Sequence, residues 1–147
     1  MRSVAALQAS QRVRFCRSAD GTRIAYAVHG QGPPLLLDAC WLSHLEYDWQ
    51  SPVWRHYLVE LGQVATVVRF DERGHGMSDR EVTDFTLERR IEDLEAVADD
   101  AGLDRFALIA MAQGGPVALH YAHRHPERVT RLVCASTYAA PSQHVTE

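Results

Sequence analysis

Residues 106–116, FALIAMAQGGP, decide the fold of this chain. An apolar run leads into Ala112, and small residues stand two positions on either side of it, at Ala110 and Gly114. Small residues are needed at those two places when a strand turns sharply into a helix, because the two backbones then come close together. Pro116 is tolerated in the first turn of the helix that follows. The stretch therefore predicts a sharp strand-to-helix turn with Ala112 at its tip.

Strand and helix patterns alternate on both sides of this turn. After an opening hairpin, apolar runs alternate with amphipathic segments, which indicates an α/β architecture with a mostly parallel sheet and flanking helices. In such sheets binding residues collect at the carboxyl ends of the strands. We predict one domain over residues 1–147, with its core in 12–138. The predicted strands cover 12–17, 22–28, 35–39, 64–70, 105–110 and 129–136, and the predicted helices cover 53–61, 87–101 and 113–123.

Four segments of this pattern together resemble the first six strands of the α/β-hydrolase fold. They are DGTRIAYAVHGQGPPLLL (20–37), RFDERGHGMSD (69–79), ALIAMAQGGPVAL (107–119) and YAHRHPERVTRLV (121–133), and they follow the family order. The loop WLSHLEYDW (41–49) also resembles a branch whose hydrolase-like domains are sometimes fused to cyclase or helix-turn-helix domains. The four segments in combination are specific evidence for this family, whereas any one of them alone is weak evidence.

The resemblance implies a role for each residue near the turn. Ala112 takes the position of the nucleophile, and the amides of Gln113 and Trp41 take the positions of the oxyanion donors. Cys40, His44 and Met111 are expected to border the binding site. A methyl group cannot be activated by a histidine, so Ala112 keeps the shape of the site without its attacking atom.

Two functions are compatible with that arrangement. The first is a serine hydrolase of esters or related acyl compounds, disarmed at residue 112. The second is a non-catalytic module that binds a small apolar ligand or a partner protein. The resemblance places the acid after strand six or seven and the base after strand eight, and Glu147 is the one acidic residue beyond the sixth predicted strand.

Several other reactive side chains could have either a functional or a purely structural role. Cys40 and His44 could form a nucleophilic pair, but a buried structural thiol beside a loop histidine is the commoner arrangement, and the same holds for Cys134. His120 and His123 share a helix face and could bind a metal, although they more often solvate a helix end. Trp41, Trp49, Trp54 and Tyr47 could line a pocket or pack in the core. No metal or cofactor is expected.

The bulk composition limits the partners. The net charge is −4, and no basic patch dominates, which argues against nucleic acid as a direct partner. No apolar run is long enough to span a membrane. The three separated cysteines form no disulfide framework, which favours reduced thiols and a cytoplasmic location. An open sixth strand favours a homo-oligomer or a complementary C-terminal chain.

Overall fold

The structure is a computed structural model that describes residues 1–38 and 42–139. These residues form a six-stranded sheet of order β1-β2-β4-β3-β5-β6 with helices on both faces. The strands β1 and β2 run antiparallel to each other, β2 runs antiparallel to β4, and the remaining pairs are parallel. The predicted fold class is confirmed. The elements are α1 (Val4–Ser10), β1 (Arg12–Arg17), β2 (Arg23–Gly30), β3 (Pro34–Leu37), α2 (Trp54–Val64), β4 (Thr66–Phe70), α3 (Leu87–Asp100), β5 (Phe106–Met111), α4 (Gly115–Arg124) and β6 (Val129–Ala135).

Most element ends lie within two residues of the sequence prediction, and two differences have a clear physical reason. Helix α1 was not predicted, because seven residues give too little periodicity; its start is marked by Ser3, whose hydroxyl accepts a hydrogen bond from the Ala6 amide. The second difference lies at Val64, which ends helix α2 although the apolar run 64–70 reads as a strand. The Ala65 amide still donates to the Leu61 carbonyl at 2.9 Å, so pairing with β3 starts only at Thr66.

The two faces of the sheet are covered unequally. One face packs against α3 and α4, and we call it the α3–α4 face; its central side chains Leu36, Val68 and Leu108 belong to a large continuous core with Ile91, Leu94 and Tyr121. The other, called the α2 face, packs against α1 and α2. Its buried residues fall into smaller separate clusters, such as Leu35 with Ala65 and Val67. Strand alternation sends neighbouring residues of one strand to these two faces.

His29 is a buried titratable group on the α2 face that contacts helix α2. Its side chain is 2% exposed, its ring meets Trp49 edge-on at 5.1 Å, and its Nε2 lies 3.0 Å from the Leu58 carbonyl. Because a carbonyl can only accept, Nε2 carries the proton in this contact. Burial lowers the pKa of His29 to about 4. The folded protein thus holds this imidazole neutral.

A buried ion pair fixes the glycine-rich loop 71–79 on the α3–α4 face. The guanidinium of Arg73 is fully buried and donates to both carboxylate oxygens of Asp93 on α3, at 2.7 and 2.6 Å. Ser78 donates to the Asp71 carbonyl at 2.6 Å and accepts from the Ala25 amide at 2.9 Å. These contacts tie loop 71–79 to strand β2 and to helix α3.

No helix in residues 1–38 or 42–139 combines the length and the apolar character that crossing a bilayer would need.

Candidate functional site

The turn predicted at Ala112 lies at the carboxyl edge of the sheet. Strand β5 ends at Met111, a single tight turn covers 112–114, and α4 begins at Gly115. Ala112 has a φ of +48°. A non-glycine residue held there costs on the order of 1–3 kcal/mol, and the surrounding structure must enforce it. The backbone at residue 112 therefore has the strained bend of a nucleophile elbow, the sharp strand-to-helix turn that presents an attacking side chain. Here a methyl group stands at the tip of that bend.

Close contacts with the chain after β6 enforce this bend. The Thr137 hydroxyl donates to the Ala112 carbonyl. Gly115 passes so close to this segment that a Cβ at residue 115 would lie 2.6 Å from the Tyr138 carbonyl oxygen. Gly115 must therefore lack a side chain, and the second glycine of the GGP sequence has a packing role that the pattern of residues around Ala112 did not reveal.

A second set of contacts holds Gln113, the residue after the tip. Its side-chain amide donates to Glu72 at 2.7 Å, and its carbonyl accepts from Arg90 at 3.2 Å. Glu72 and Arg90 also form an ion pair, and Glu72 is only 5% exposed. Burial raises the pKa of Glu72, while Arg90 opposes that rise. Loop 71–79 and helix α3 together clamp the backbone that would supply an oxyanion donor.

Two adjoining hollows lie beside the turn, on the α2 face. The first, about 470 Å³, opens at the turn, and we call it the elbow hollow. The second, about 240 Å³, lies between α2 and the sheet. Both are walled by Leu42, Trp54, Tyr57, Met111 and Ala135. The elbow hollow is also lined by Val53, Ala112 and Ser136. Its walls are mainly apolar, which suits a small apolar ligand better than an ion.

The second hollow has a polar end, built around Arg69. The Arg69 side chain donates to Asp48 at 2.7 Å and to Gln11 at 3.0 Å, and it also donates to the Leu45 carbonyl at 2.5 Å. Burial raises the pKa of Asp48, although Arg69 opposes the rise. These contacts hold the loop before α2 against β4 and thereby shape the wall of both hollows.

The predicted site residues separate into three groups. Ala112 and Met111 line the elbow hollow, and Gln113 lies within the turn, directly after its tip. His44 lies in a loop, where its ring stacks on Tyr47 at 4.1 Å and its Nδ1 accepts from the Glu46 amide at 3.3 Å. It is not among the described residues that line either hollow. Cys40 and Trp41 lie outside the described residues, and their predicted roles stay predictions.

Several alternatives from the sequence are resolved by burial. Cys134 was expected to be a buried thiol, but this is wrong: it is exposed, because β6 is an edge strand of the described sheet. Trp54 lines both hollows, whereas Trp49 is 2% exposed and donates to Gln11 at 2.7 Å. Within 1–38 and 42–139, no three histidine, cysteine or acidic side chains are grouped so that they could hold a metal.

Comparison with known proteins decides the family. Residues 33–147 match the family model of the alpha/beta hydrolase fold. The chain belongs to the α/β-hydrolase fold family. This α/β-hydrolase chain is 32% identical over 130 residues to the cis-3-alkyl-4-alkyloxetan-2-one decarboxylase of Shewanella oneidensis, covering 86% of the chain and 39% of that protein. It is 30% identical over 113 residues to the soluble epoxide hydrolase of a Corynebacterium species, covering 77% of the chain and 37% of that protein.

The solved structures agree with this assignment. The crystal structure of a hydrolase from Pseudomonas aeruginosa superimposes on the α/β-hydrolase chain with a TM-score of 0.77 and 30% identity, covering 90% of this chain and 48% of that one. The predicted resemblance to the family is confirmed. The chain spans less than half the length of each of these three proteins, so their whole activities do not carry over with the match.

Sequence reasoning missed three residues near the turn. Glu72 and Arg90 come from separate elements, and their contact with Gln113 depends on how α3 crosses the sheet. Ser136 follows β6 directly and lines the elbow hollow beside Ala112. Its place at the carboxyl end of a predicted parallel strand was the one signal that could have found it.

Proposed function

We propose that this chain derives from serine hydrolases and, with alanine at residue 112, binds a small apolar or acyl compound at the elbow hollow without cleaving it. The observation that carries the proposal is Ala112 itself, which has a φ of +48° and lines a hollow of about 470 Å³. The bend suits a nucleophile, yet the side chain has no atom that can attack a carbonyl.

The surrounding groups support binding of a carbonyl compound. In this proposal the backbone N–H of Gln113, at the positive end of α4, faces the ligand oxygen. The contacts of Gln113 with Glu72 and Arg90 keep that N–H in place. Family membership does not fix the reaction of the ancestor, because the relatives carry names as different as decarboxylase and epoxide hydrolase.

The test compares binding and turnover for two esters of butyric acid. We expect ethyl butyrate to bind the wild-type chain in saturation-transfer NMR, and we expect p-nitrophenyl butyrate to be hydrolysed no faster than in buffer. Ester turnover by the wild-type chain, or absence of ethyl butyrate binding, would contradict the proposal. The Ala112→Gly variant is the matched control, since it removes the methyl group without adding a nucleophile.

A second candidate, a disarmed enzyme whose chemistry can be restored, is favoured by the retained strain at Ala112. The Ala112→Ser variant adds one hydroxyl to a backbone that already has the required φ. Hydrolysis of p-nitrophenyl butyrate by this variant, above the Ala112→Gly control, would establish the second candidate. Absence of any gain, even with a complementary C-terminal half supplied, would favour ligand binding as the function.

We further propose that the chain pairs with a second copy or with a complementary C-terminal chain. Strand β6 is an edge of the described sheet, and Val133 on it is 50% exposed. Exposed apolar edges promote strand pairing between chains. Sedimentation velocity should show a species larger than the 16.5 kDa of one chain, and Val133→Lys should shift it toward the monomer. A wild-type monomer throughout the micromolar range would contradict the homo-oligomer.

A further inference from the structure

Two non-glycine residues of the described chain have a positive φ, and both line the elbow hollow. They are Ala112, with a φ of +48°, and Ser136, with a φ of +49°. Left-handed backbone at a residue with a side chain is uncommon and tends to gather at functional sites. The second strained residue is therefore as informative about this hollow as the first.

The sheet register places the two residues side by side. Strands β5 and β6 are parallel, and Met111 is the register partner of Ala135. Ala112 and Ser136 are each the next residue along the chain. The Thr137 hydroxyl then donates to the Ala112 carbonyl, which ties the two strand ends together. Ser136, a residue with a hydroxyl, thus lines the same hollow that has a methyl group at Ala112.

The other described residues of this wall define what the hydroxyl can recognise. Five are aliphatic or thioether side chains, and the aromatic Trp54 and Tyr57 complete the wall. None of the described lining residues is Lys, Arg, His, Asp or Glu. A charged ligand would lose its hydration here without gaining a counter-charge, which is costly. A nucleophilic role for Ser136 also has no support, since no base lies in that lining.

We infer that Ser136 provides a hydrogen-bonding hydroxyl to the ligand in the elbow hollow, beside the phenol of Tyr57 in the same wall, and that the hollow takes small apolar molecules with one uncharged oxygen, such as an alcohol, a ketone or an ester. This inference rests on the proposed ligand-binding function and narrows its ligand class. The hydroxyl both donates and accepts, so it pairs with a carbonyl or with an alcohol. The apolar wall holds the remainder of the molecule.

The experiment measures two ligands of nearly equal shape, benzyl alcohol and ethylbenzene, on the full chain by ligand-observed NMR titration. In ethylbenzene a methyl group replaces the hydroxyl. Ser136→Ala should weaken benzyl alcohol binding by about two- to tenfold, as expected for one neutral hydrogen bond. Binding of ethylbenzene should stay unchanged. Thr130→Ala, which removes a hydroxyl of β6 away from the described lining, should change neither affinity.

A second variant separates the hydroxyl from the backbone. Ser136→Gly removes the hydroxyl and also the strain of the positive φ, so it should lose benzyl alcohol affinity to the same extent as Ser136→Ala. The inference is overturned if the glycine variant keeps that affinity, or if Ser136→Ala weakens both ligands equally or neither. These outcomes leave wild-type binding intact. Failure of both ligands to bind the wild-type chain would instead overturn the proposed function and this inference together.

Discussion

The α3–α4 face and the α2 face are built from alternate residues of the same strands, yet they differ in how completely they are covered. On β5, Leu108 is fully buried in the continuous core of the α3–α4 face, while its neighbour Ile109 is partly buried and lines a hollow on the α2 face. The α3–α4 face supplies packing that holds the turn at Ala112. The incompletely covered α2 face supplies the space in which a ligand can lie. Stability and binding are thereby assigned to opposite sides of one sheet.

The largest effect is expected at the ion pair of the α3–α4 face. Arg73→Met leaves the carboxylate of Asp93 buried without its partner, which should lower the free energy of unfolding by about 3–5 kcal/mol. Urea denaturation measures this loss. Arg124→Met breaks the exposed pair with Glu88 and serves as the control, with little change expected. Equal effects of the two variants would show that loop 71–79 is not anchored through Arg73.

A direct contrast between the faces comes from neighbouring truncations on β5. Leu108→Ala should cost about 3 kcal/mol, because a cavity opens in a closed core. Ile109→Ala should cost about 1 kcal/mol, because its side chain is only partly removed from solvent and already borders a hollow. Chemical denaturation of both variants gives the two values. A larger loss for Ile109→Ala would mean that something covers the α2 face in solution.

Acid should weaken the α2 face through His29. Its pKa falls from 6.5 in the unfolded chain to about 4 in the folded one, so the unfolded chain takes up a proton first as the pH drops. This contribution to stability is therefore complete above pH 6.5 and is lost as the pH falls toward and through 4, by about 3 kcal/mol in total. His29→Gln removes this titration but can still donate to the Leu58 carbonyl.

The measurement for His29 is the difference in unfolding free energy between pH 7.5 and 4.5. That difference should be smaller in His29→Gln than in the wild type by about 2 kcal/mol. His123→Gln, at the exposed end of α4, should keep the wild-type difference. An identical acid loss in His29→Gln and the wild type would refute the assignment of this loss to His29.

The smallest effect is expected at the turn itself. Ala112→Gly relieves the positive φ and should stabilise the fold by about 1 kcal/mol, even though glycine has more freedom in the unfolded chain. Ala122→Gly, inside α4, should destabilise it by about 1 kcal/mol. Thermal unfolding of the two variants shows whether each substitution stabilises or destabilises the fold. Destabilisation by Ala112→Gly would show that the bend at residue 112 is not strained in solution.

The parts that the sequence predicted are those set by local periodicity. The turn at Ala112 follows from small residues at fixed spacing, and α3 follows from an apolar stripe that ends near Gly102, whose φ is +69°. The contacts of Glu72 with Gln113 and the position of Ser136 beside Ala112 depend on strand order and register. These are long-range properties, and the one local signal for them was the place of Ser136 at the end of a predicted parallel strand.

Strand β6 shows a further limit of this kind. The exposure of Cys134 could not be inferred from its apolar neighbours in β6, because burial there depends on what lies next to the strand rather than on the strand's own pattern. The roles predicted for Cys40 and Trp41 fall on residues 39–41, outside the described chain, so the second oxyanion donor stays a prediction.

The positive φ of Ala112 also determines how much of the chain would have to change for residue 112 to carry a nucleophile. Serine differs from alanine by a single oxygen atom, and the contacts of Thr137, Glu72 and Arg90 already maintain the backbone shape that such an oxygen would use. One side-chain exchange would therefore place an oxygen at this bend without rebuilding the turn. A base that could activate that oxygen is a separate requirement, because none of the described residues that line the elbow hollow is one.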